Sequence, residues 1–221
     1  MDAAERAAAL GAYALEASGC ERCGLAATRT RVVYGSGPSA ARLMLVGESP
    51  GFHEDREGTP FAGRPRELLE RLLAGIGMGL DEVYLATVLK CRVPASREPL
   101  PEEWGACEPY LYRQLELVRP VVVATLGSFA TTLLSGRSLG ITRAHGQEVE
   151  VTLGGRRVLL YPLFHPAAAL YTPTMLEVLE RDVARLPALL GGDERAPLES
   201  APVAVAPDVR RTPQPVQLGL F

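Results

Sequence analysis

The sequence predicts an α/β fold, a three-layer sandwich around a four-stranded parallel sheet. Two observations carry that expectation. Four apolar runs rich in β-branched residues, at 41–48 (ARLMLVGE), 82–90 (EVYLATVLK), 120–127 (PVVVATLG) and 157–164 (RVLLYPLF), read as strands buried on both faces. Helical patterns recur between and after them, at 65–76, 101–118, 127–135 and 173–190. Strand and helix in strict alternation imply right-handed crossovers, with helices covering both faces of one sheet.

Taken in order, the chain begins with MDAAERAAALGAYALEAS, an acidic amphipathic helix, and a loop carrying Cys20 and Cys23. The first strand leads into the glycine-rich loop VGESPGFHEDREGTPFAGRPRELL, and the second into Cys91, with Cys107 on the helix that follows. The fourth strand runs directly into His165. In a parallel sheet the ligand site forms where loops leave the carboxyl ends of the strands. The loops starting at Gly47, Cys91, Gly127 and His165 are therefore expected to share one rim.

Composition narrows the function. The chain has 221 residues, of which 47% are hydrophobic, enough for one well-buried domain over 1–190. From Gly191 proline and alanine dominate without periodicity, so 191–216 reads as a disordered linker, and 217–221 is apolar again. No apolar run reaches the roughly 18 residues of a membrane span, and the N-terminus is not basic-then-apolar. A cytoplasmic protein without a membrane association is the expectation. A net charge of −3 argues against coating nucleic acid through overall positive charge. Local arginine groups remain available, namely Arg64, Arg66 and Arg71, then Arg92 and Arg97 beside Lys90, then Arg137 and Arg143.

In a reducing compartment four cysteines that include a C-x-x-C point to a metal or redox role before disulfides. The N-terminal segment can lie beside the second strand and the helix after it, which lets the four thiolates converge. Four sulfurs suit structural zinc or an iron–sulfur cluster, and the spacing leaves the two open.

Gly47-Glu48-Ser49-Pro50-Gly51 matches the G-x-S-x-G elbow of serine hydrolases, but the match fails chemically. That elbow's oxyanion hole uses the backbone N–H of the residue after the serine, and Pro50 has none. No G-x-x-x-x-G-K-[ST] phosphate loop is present either. What remains on the expected rim is a carboxylate, Glu48, an aromatic, Phe61, and a histidine, His165.

Together, Cys20-x-x-Cys23, GESPG, GTPFAGRPRELL, VYLATVLKCRVPASREPLPEEWGAC and FHPAAAL resemble the family 4 uracil-DNA glycosylases, from about residue 15 to residue 190. The resemblance implies a uracil-DNA glycosylase-like fold and a monomeric base-excision repair enzyme that flips uracil out of DNA and hydrolyses its N-glycosidic bond. It implies a [4Fe-4S] cluster held by Cys20, Cys23, Cys91 and Cys107, whose role is to fix loops beside the DNA, since hydrolysis needs no electron. Phe61 takes the place of the stacking phenylalanine. His165 takes that of the histidine that hydrogen-bonds the charge developing on uracil O2, and Glu48 that of the acidic residue that positions water or stabilises the cationic sugar. Gly47 and Ser49 border the base, and backbone amides near Glu48 and Ser49 add contacts to it.

Two residues depart from the pattern. Ser49 stands where the family has Gly or Ala, and Thr87 where most relatives have the asparagine that reads the uracil O4 and N3 edge. Threonine offers one short hydroxyl in place of a planar amide, so a weakly catalytic or non-catalytic DNA-lesion binder of the same fold is the alternative. The chain ends in Gln217-Leu218-Gly219-Leu220-Phe221. This resembles the Q-L-x-L-F peptide that binds the β sliding clamp, with Gln217, Leu218, Leu220 and Phe221 as contacts.

Overall fold

The computed structural model describes residues 1–138 and 140–191. The expected linker beyond Gly191 and the peptide carrying Gln217, Leu218, Leu220 and Phe221 lie outside the described residues.

Helix α1 (Ala3–Ser18) starts where Asp2 and Glu5 cap each other reciprocally, each carboxylate accepting the other's backbone N–H at 2.8 Å. Strand β1 (Leu43–Gly47) follows, then the short α2 (Phe52–Glu57), α3 (Gly63–Ala74) and β2 (Tyr84–Thr87). Next come α4 (Pro101–Val118), β3 (Val122–Leu126), α5 (Ser128–Ser135) and α6 (Ile141–Ala144). The order closes with β4 (Val149–Leu153), β5 (Arg156–Leu163), α7 (Pro166–Ala169), α8 (Pro173–Val183) and α9 (Leu186–Gly191).

The sheet has five strands in the order β2-β1-β3-β5-β4, with β4 antiparallel and the rest parallel. The expected four-stranded sheet is thus corrected by one edge strand. Val149-Glu150-Val151-Thr152-Leu153 alternates half-buried and exposed residues. Gly154 and Gly155, at φ of 56° and 71°, turn it into β5. Paired glycines with positive φ are the usual chemistry of a two-residue hairpin, a local signal distinct from a buried apolar run.

Two other expected boundaries shift for physical reasons. The second strand stops at Thr87, but Val88 and Leu89 still donate their N–H groups to Gly47 and Glu48, both at 2.9 Å, so the chain keeps alongside β1 as it turns. The expected helix 173–190 divides after Val183 because Pro187, near the start of α9, has no N–H to offer a continuous helix.

Successive β1 residues face opposite layers. Met44 and Val46 belong to the same buried cluster as Leu111 and Leu115 of α4, while Leu43 and Leu45 belong to the cluster of Leu69 and Leu73 of α3 and Leu179 of α8. Each fully buried leucine contributes roughly 1.5–3 kcal/mol of transfer free energy. Both faces of the sheet are therefore sealed. Since β1 has β2 on one side and β3 on the other, the chain's direction of travel reverses beside β1, and the crevice opens at its carboxyl end.

Candidate active site

The crevice is a cavity of about 520 Å3 at the carboxyl ends of the parallel strands. Gly47 closes β1, Thr87 closes β2 and His165 follows β5, and all three line the cavity with Ser49 and Phe61. Five residues singled out from sequence thus surround one space. The Glu48 side chain is not part of that wall. It is half-buried, and burial, with the nearby Glu98, raises its pKa.

Phe61 is buried and holds a left-handed backbone, φ 54°, which is unusual for a non-glycine residue and typical of a functional constraint. Two contacts fix it there. The Ala62 N–H donates to the Glu54 carboxylate at 2.8 Å, pinning the loop from α2. The Phe61 ring lies on Gly47, where an added Cβ would come within 3.1 Å of the ring edge, so β1 ends in glycine to admit the aromatic. Glu54 also lines the cavity and was missed in the sequence, because nothing in HEDRE separates a loop-pinning carboxylate from a solvated one.

His165 caps α7. Its Nδ1 accepts the Ala167 N–H at 3.1 Å, which leaves Nε2 to carry the proton of the neutral ring. Burial lowers its pKa below the ordinary 6.5, with the charge of Glu54 opposing the shift. The His165 and Phe61 ring centroids are 6.2 Å apart, with the planes tilted by 34°. The site therefore offers a flat apolar face, a neutral N–H donor and a cavity wide enough for a planar heterocycle.

Thr87 is buried, and its hydroxyl donates to the Leu89 carbonyl at 2.6 Å. Its methyl carbon would lie 3.6 Å from a Cβ on Gly47. With the hydroxyl hydrogen committed to its own turn, this residue has no donor left for a ligand, only a methyl group and oxygen lone pairs.

The four cysteines line a separate, narrow cavity with Arg29, Lys90 and Tyr110, and none is in a disulfide. The Lys90 backbone N–H points at the Cys107 sulfur, 3.1 Å away, and the Arg29 guanidinium lies 3.7 Å from the Cys91 sulfur. Burial pushes the Cys91 thiol up to about 11 and also raises Cys107, while Arg29 and Lys90, respectively, pull them down. Among the described residues no group of three or more His, Cys, Asp or Glu side chains is arranged to hold a metal ion.

Two buried contacts join the cysteine segments to the first cavity. Asp55 of α2 accepts the Thr30 N–H at 2.9 Å, downstream of Cys23, and faces Arg92, next to Cys91, at 3.5 Å. Burial alone would raise the Asp55 pKa, but the hydrogen bonds from Thr30 and the Arg31 N–H, with the charge of Arg92, bring it below the ordinary value. Lys90, almost wholly buried, donates its Nζ to the Thr87 carbonyl and to Gln114 of α4, both at 2.6 Å. Gln114 in turn donates to the Tyr34 carbonyl at 2.7 Å.

A mostly parallel sheet with a cavity at its switch point large enough for a base, lined by an aromatic and a neutral histidine donor, defines a class. Residues 34–186 match that class, the Uracil DNA glycosylase superfamily. The chain is 41% identical over 180 residues to a type-4 uracil-DNA glycosylase of Archaeoglobus fulgidus, covering 80% of this chain and 90% of the relative. It is 36% identical to a type-4 enzyme of Sulfurisphaera tokodaii, over 77% and 80% of the two chains. To that of Saccharolobus solfataricus it is 39% identical, over 76% and 80%. The chain belongs to the type-4 uracil-DNA glycosylases.

Among the described residues no helix is long and apolar enough to cross a membrane.

Proposed function

We propose that the cavity takes a uracil flipped out of DNA and that the protein hydrolyses its N-glycosidic bond through His165, Phe61 and Glu48. Extruding the base costs a few kcal/mol and is offset by stacking on Phe61 and by hydrogen bonds inside the cavity. As the bond lengthens, the sugar gains oxocarbenium character and the departing base becomes anionic. The His165 Nε2–H donates to the developing charge on uracil O2, an effect worth roughly 10²- to 10³-fold in rate for one preorganised donor. Glu48, outside the wall that meets the base but between the lining residues Gly47 and Ser49, is in this reading on the side of the sugar, where it positions the attacking water or stabilises the cationic sugar, and its raised pKa suits a carboxylate that handles a proton.

One observation carries this reading. The Ala167 N–H fixes the His165 tautomer so that the free ring nitrogen is a neutral donor. The test is a gel assay for alkali-labile sites on a uracil-containing oligonucleotide, with wild type and His165→Ala side by side. Cleavage at uracil that falls at least about 100-fold in the variant is expected. Cleavage unaffected by the substitution removes His165 from the mechanism.

Cys20, Cys23, Cys91 and Cys107 hold a [4Fe-4S] cluster in this reading. A four-thiolate donor set with backbone and guanidinium N–H groups directed at the sulfurs suits such a group. When bound, the cluster supplies a covalent tie between the N-terminal loop, the segment after β2 and α4. Beyond Gly191, a linker and the peptide at Gln217, Leu218, Leu220 and Phe221 tether this cytoplasmic, monomeric enzyme to a β sliding clamp. A short peptide of this kind binds at about micromolar strength, roughly −8 kcal/mol.

A further inference from the structure

Two aromatic side chains are exposed among the described residues, Phe52 at 56% and Tyr171 at 77%, and both line the mouth of the same cavity. Phe52 begins α2, and Tyr171 lies between α7 and α8, on a different part of the rim. Each has an arginine beside it. The Arg56 guanidinium is 5.5 Å and that of Arg92 5.9 Å from the Phe52 ring centroid, and Arg64 is 5.9 Å from that of Tyr171. His53 sets its ring edge-on to Phe52 at 5.5 Å. Arg92 is committed to Asp55, whereas neither Arg56 nor Arg64 is in an ion pair among the described residues.

Exposed aromatic rings gain nothing from water. Two of them at one mouth, each beside a cation, form a repeated pattern of apolar face and positive charge. That pattern complements a nucleic-acid strand, where every base has a π-face and every linkage a phosphate. Extruding one nucleotide also strips a stacking partner from each of its neighbours. We propose that Phe52 and Tyr171 are stacking platforms for the two bases that flank the extruded nucleotide, and that Arg56 and Arg64 engage the adjoining phosphates. The proposal rests on the reading of the cavity as a base pocket and extends it to the nucleotides on either side. It names no base, because stacking on a ring face tolerates any of the four.

Binding in the absence of turnover tests this. The probe is a single-stranded oligonucleotide with one 2′-fluoro-deoxyuridine, whose fluorine disfavours the cationic sugar and blocks excision, and with 2-aminopurine placed next to it on either side. With the full-length protein, 2-aminopurine fluorescence is quenched on one side by Phe52 and on the other by Tyr171. In Phe52→Ala and Tyr171→Ala the quench on the corresponding side disappears and affinity falls roughly 5- to 100-fold. Thermal stability stays within a degree or two of wild type. Phe52→Tyr restores both signals. Arg56→Gln and Arg64→Gln each reduce the slope of log affinity against log salt by about 0.7. Tight binding with unchanged affinity and quenching in both alanine variants overturns the platforms and leaves the base pocket standing. No binding of the probe by wild type overturns both.

Discussion

The base cavity and the cysteine cavity sit on the same molecule and are built on opposite plans. The first is open, about 520 Å3, and its polar groups are already committed inside the protein. His165 Nδ1 is taken by Ala167, Glu54 by Ala62 and the Thr87 hydroxyl by Leu89, so each is held at a fixed angle before any ligand arrives. The second is narrow and brings together four sulfurs from three segments far apart in sequence. One site is rigid and waits for a guest, while the other is a junction of separate segments. Lys90 matters because it lines the junction and donates to Thr87 in the wall of the open cavity, and Asp55 because it ties α2, which carries lining residues, to Thr30 and to Arg92, the neighbour of Cys91.

The largest effect that separates the two plans is Cys91→Ser. It should abolish bound iron and the broad absorption near 400 nm that family membership leads us to expect. It should also lower the melting temperature by about 10 °C, which for this chain length corresponds to about 3 kcal/mol. A colourless wild-type protein carrying one zinc per chain would replace the cluster with a single ion.

His165→Ala strikes only the open site. Excision should fall roughly 10²- to 10³-fold, with the melting temperature lowered only by the few degrees that loss of the α7 cap costs. If stability drops as far as in Cys91→Ser, the distinction between the sites collapses.

Lys90→Met tests the connection. It leaves the Thr87 carbonyl and Gln114 without their buried donor, a loss of about 1–3 kcal/mol. Iron content should be retained while excision slows, because the end of β2 loses its anchor. Loss of iron at wild-type excision rates would reverse the direction of that dependence.

Thr87→Asn should raise discrimination for uracil by a factor of about 5 or more, since a planar amide restores a donor and an acceptor at the base edge. An unchanged or lower uracil rate would mean that the pocket reads the base from another wall.

The smallest effect is on pH. Because burial holds the His165 pKa below 6.5, its ring stays neutral in the fold down through that value. The unfolded chain takes up a proton near pH 6.5 that the folded chain refuses. His165 therefore removes stability only as pH falls below about 6.5 and contributes nothing to pH dependence above it. Single-turnover rates should show no acid limb from this residue between pH 8 and 6.5, and a limb centred above 6.5 would contradict the assignment.

Much of this was legible in the chain, and what was not has physical reasons. The buried strands announced themselves because burial on both faces demands continuous apolar runs, and four of the five were found that way. The edge strand β4 escaped because it is buried on one side only, so its signal was alternation and a Gly-Gly turn rather than an apolar run. His165 could be placed on the rim because it directly follows a strand of a parallel sheet and Phe61 because its loop leaves another, whereas Thr87 was picked out by the family resemblance alone, since the expected strand ran on to Lys90. Glu48 was expected on the rim too, but its side chain is not part of the cavity wall, since a one-residue turn of the backbone at a strand end decides which way it faces. The roles of Glu54, Asp55 and Lys90 depend on partners distant in sequence, such as Thr30 and Gln114, and no local pattern encodes them.

The account turns on a neutral His165 donating to the departing base in a pocket that stands ready before DNA arrives. Single-turnover release of uracil from a short oligonucleotide, comparing wild type with His165→Ala at neutral pH, tests that most directly. A rate at least about 100-fold lower in the variant, with binding to the uncleavable 2′-fluoro probe retained, is the result the account predicts. Equal rates in the two proteins, or no release by wild type at all, would contradict it.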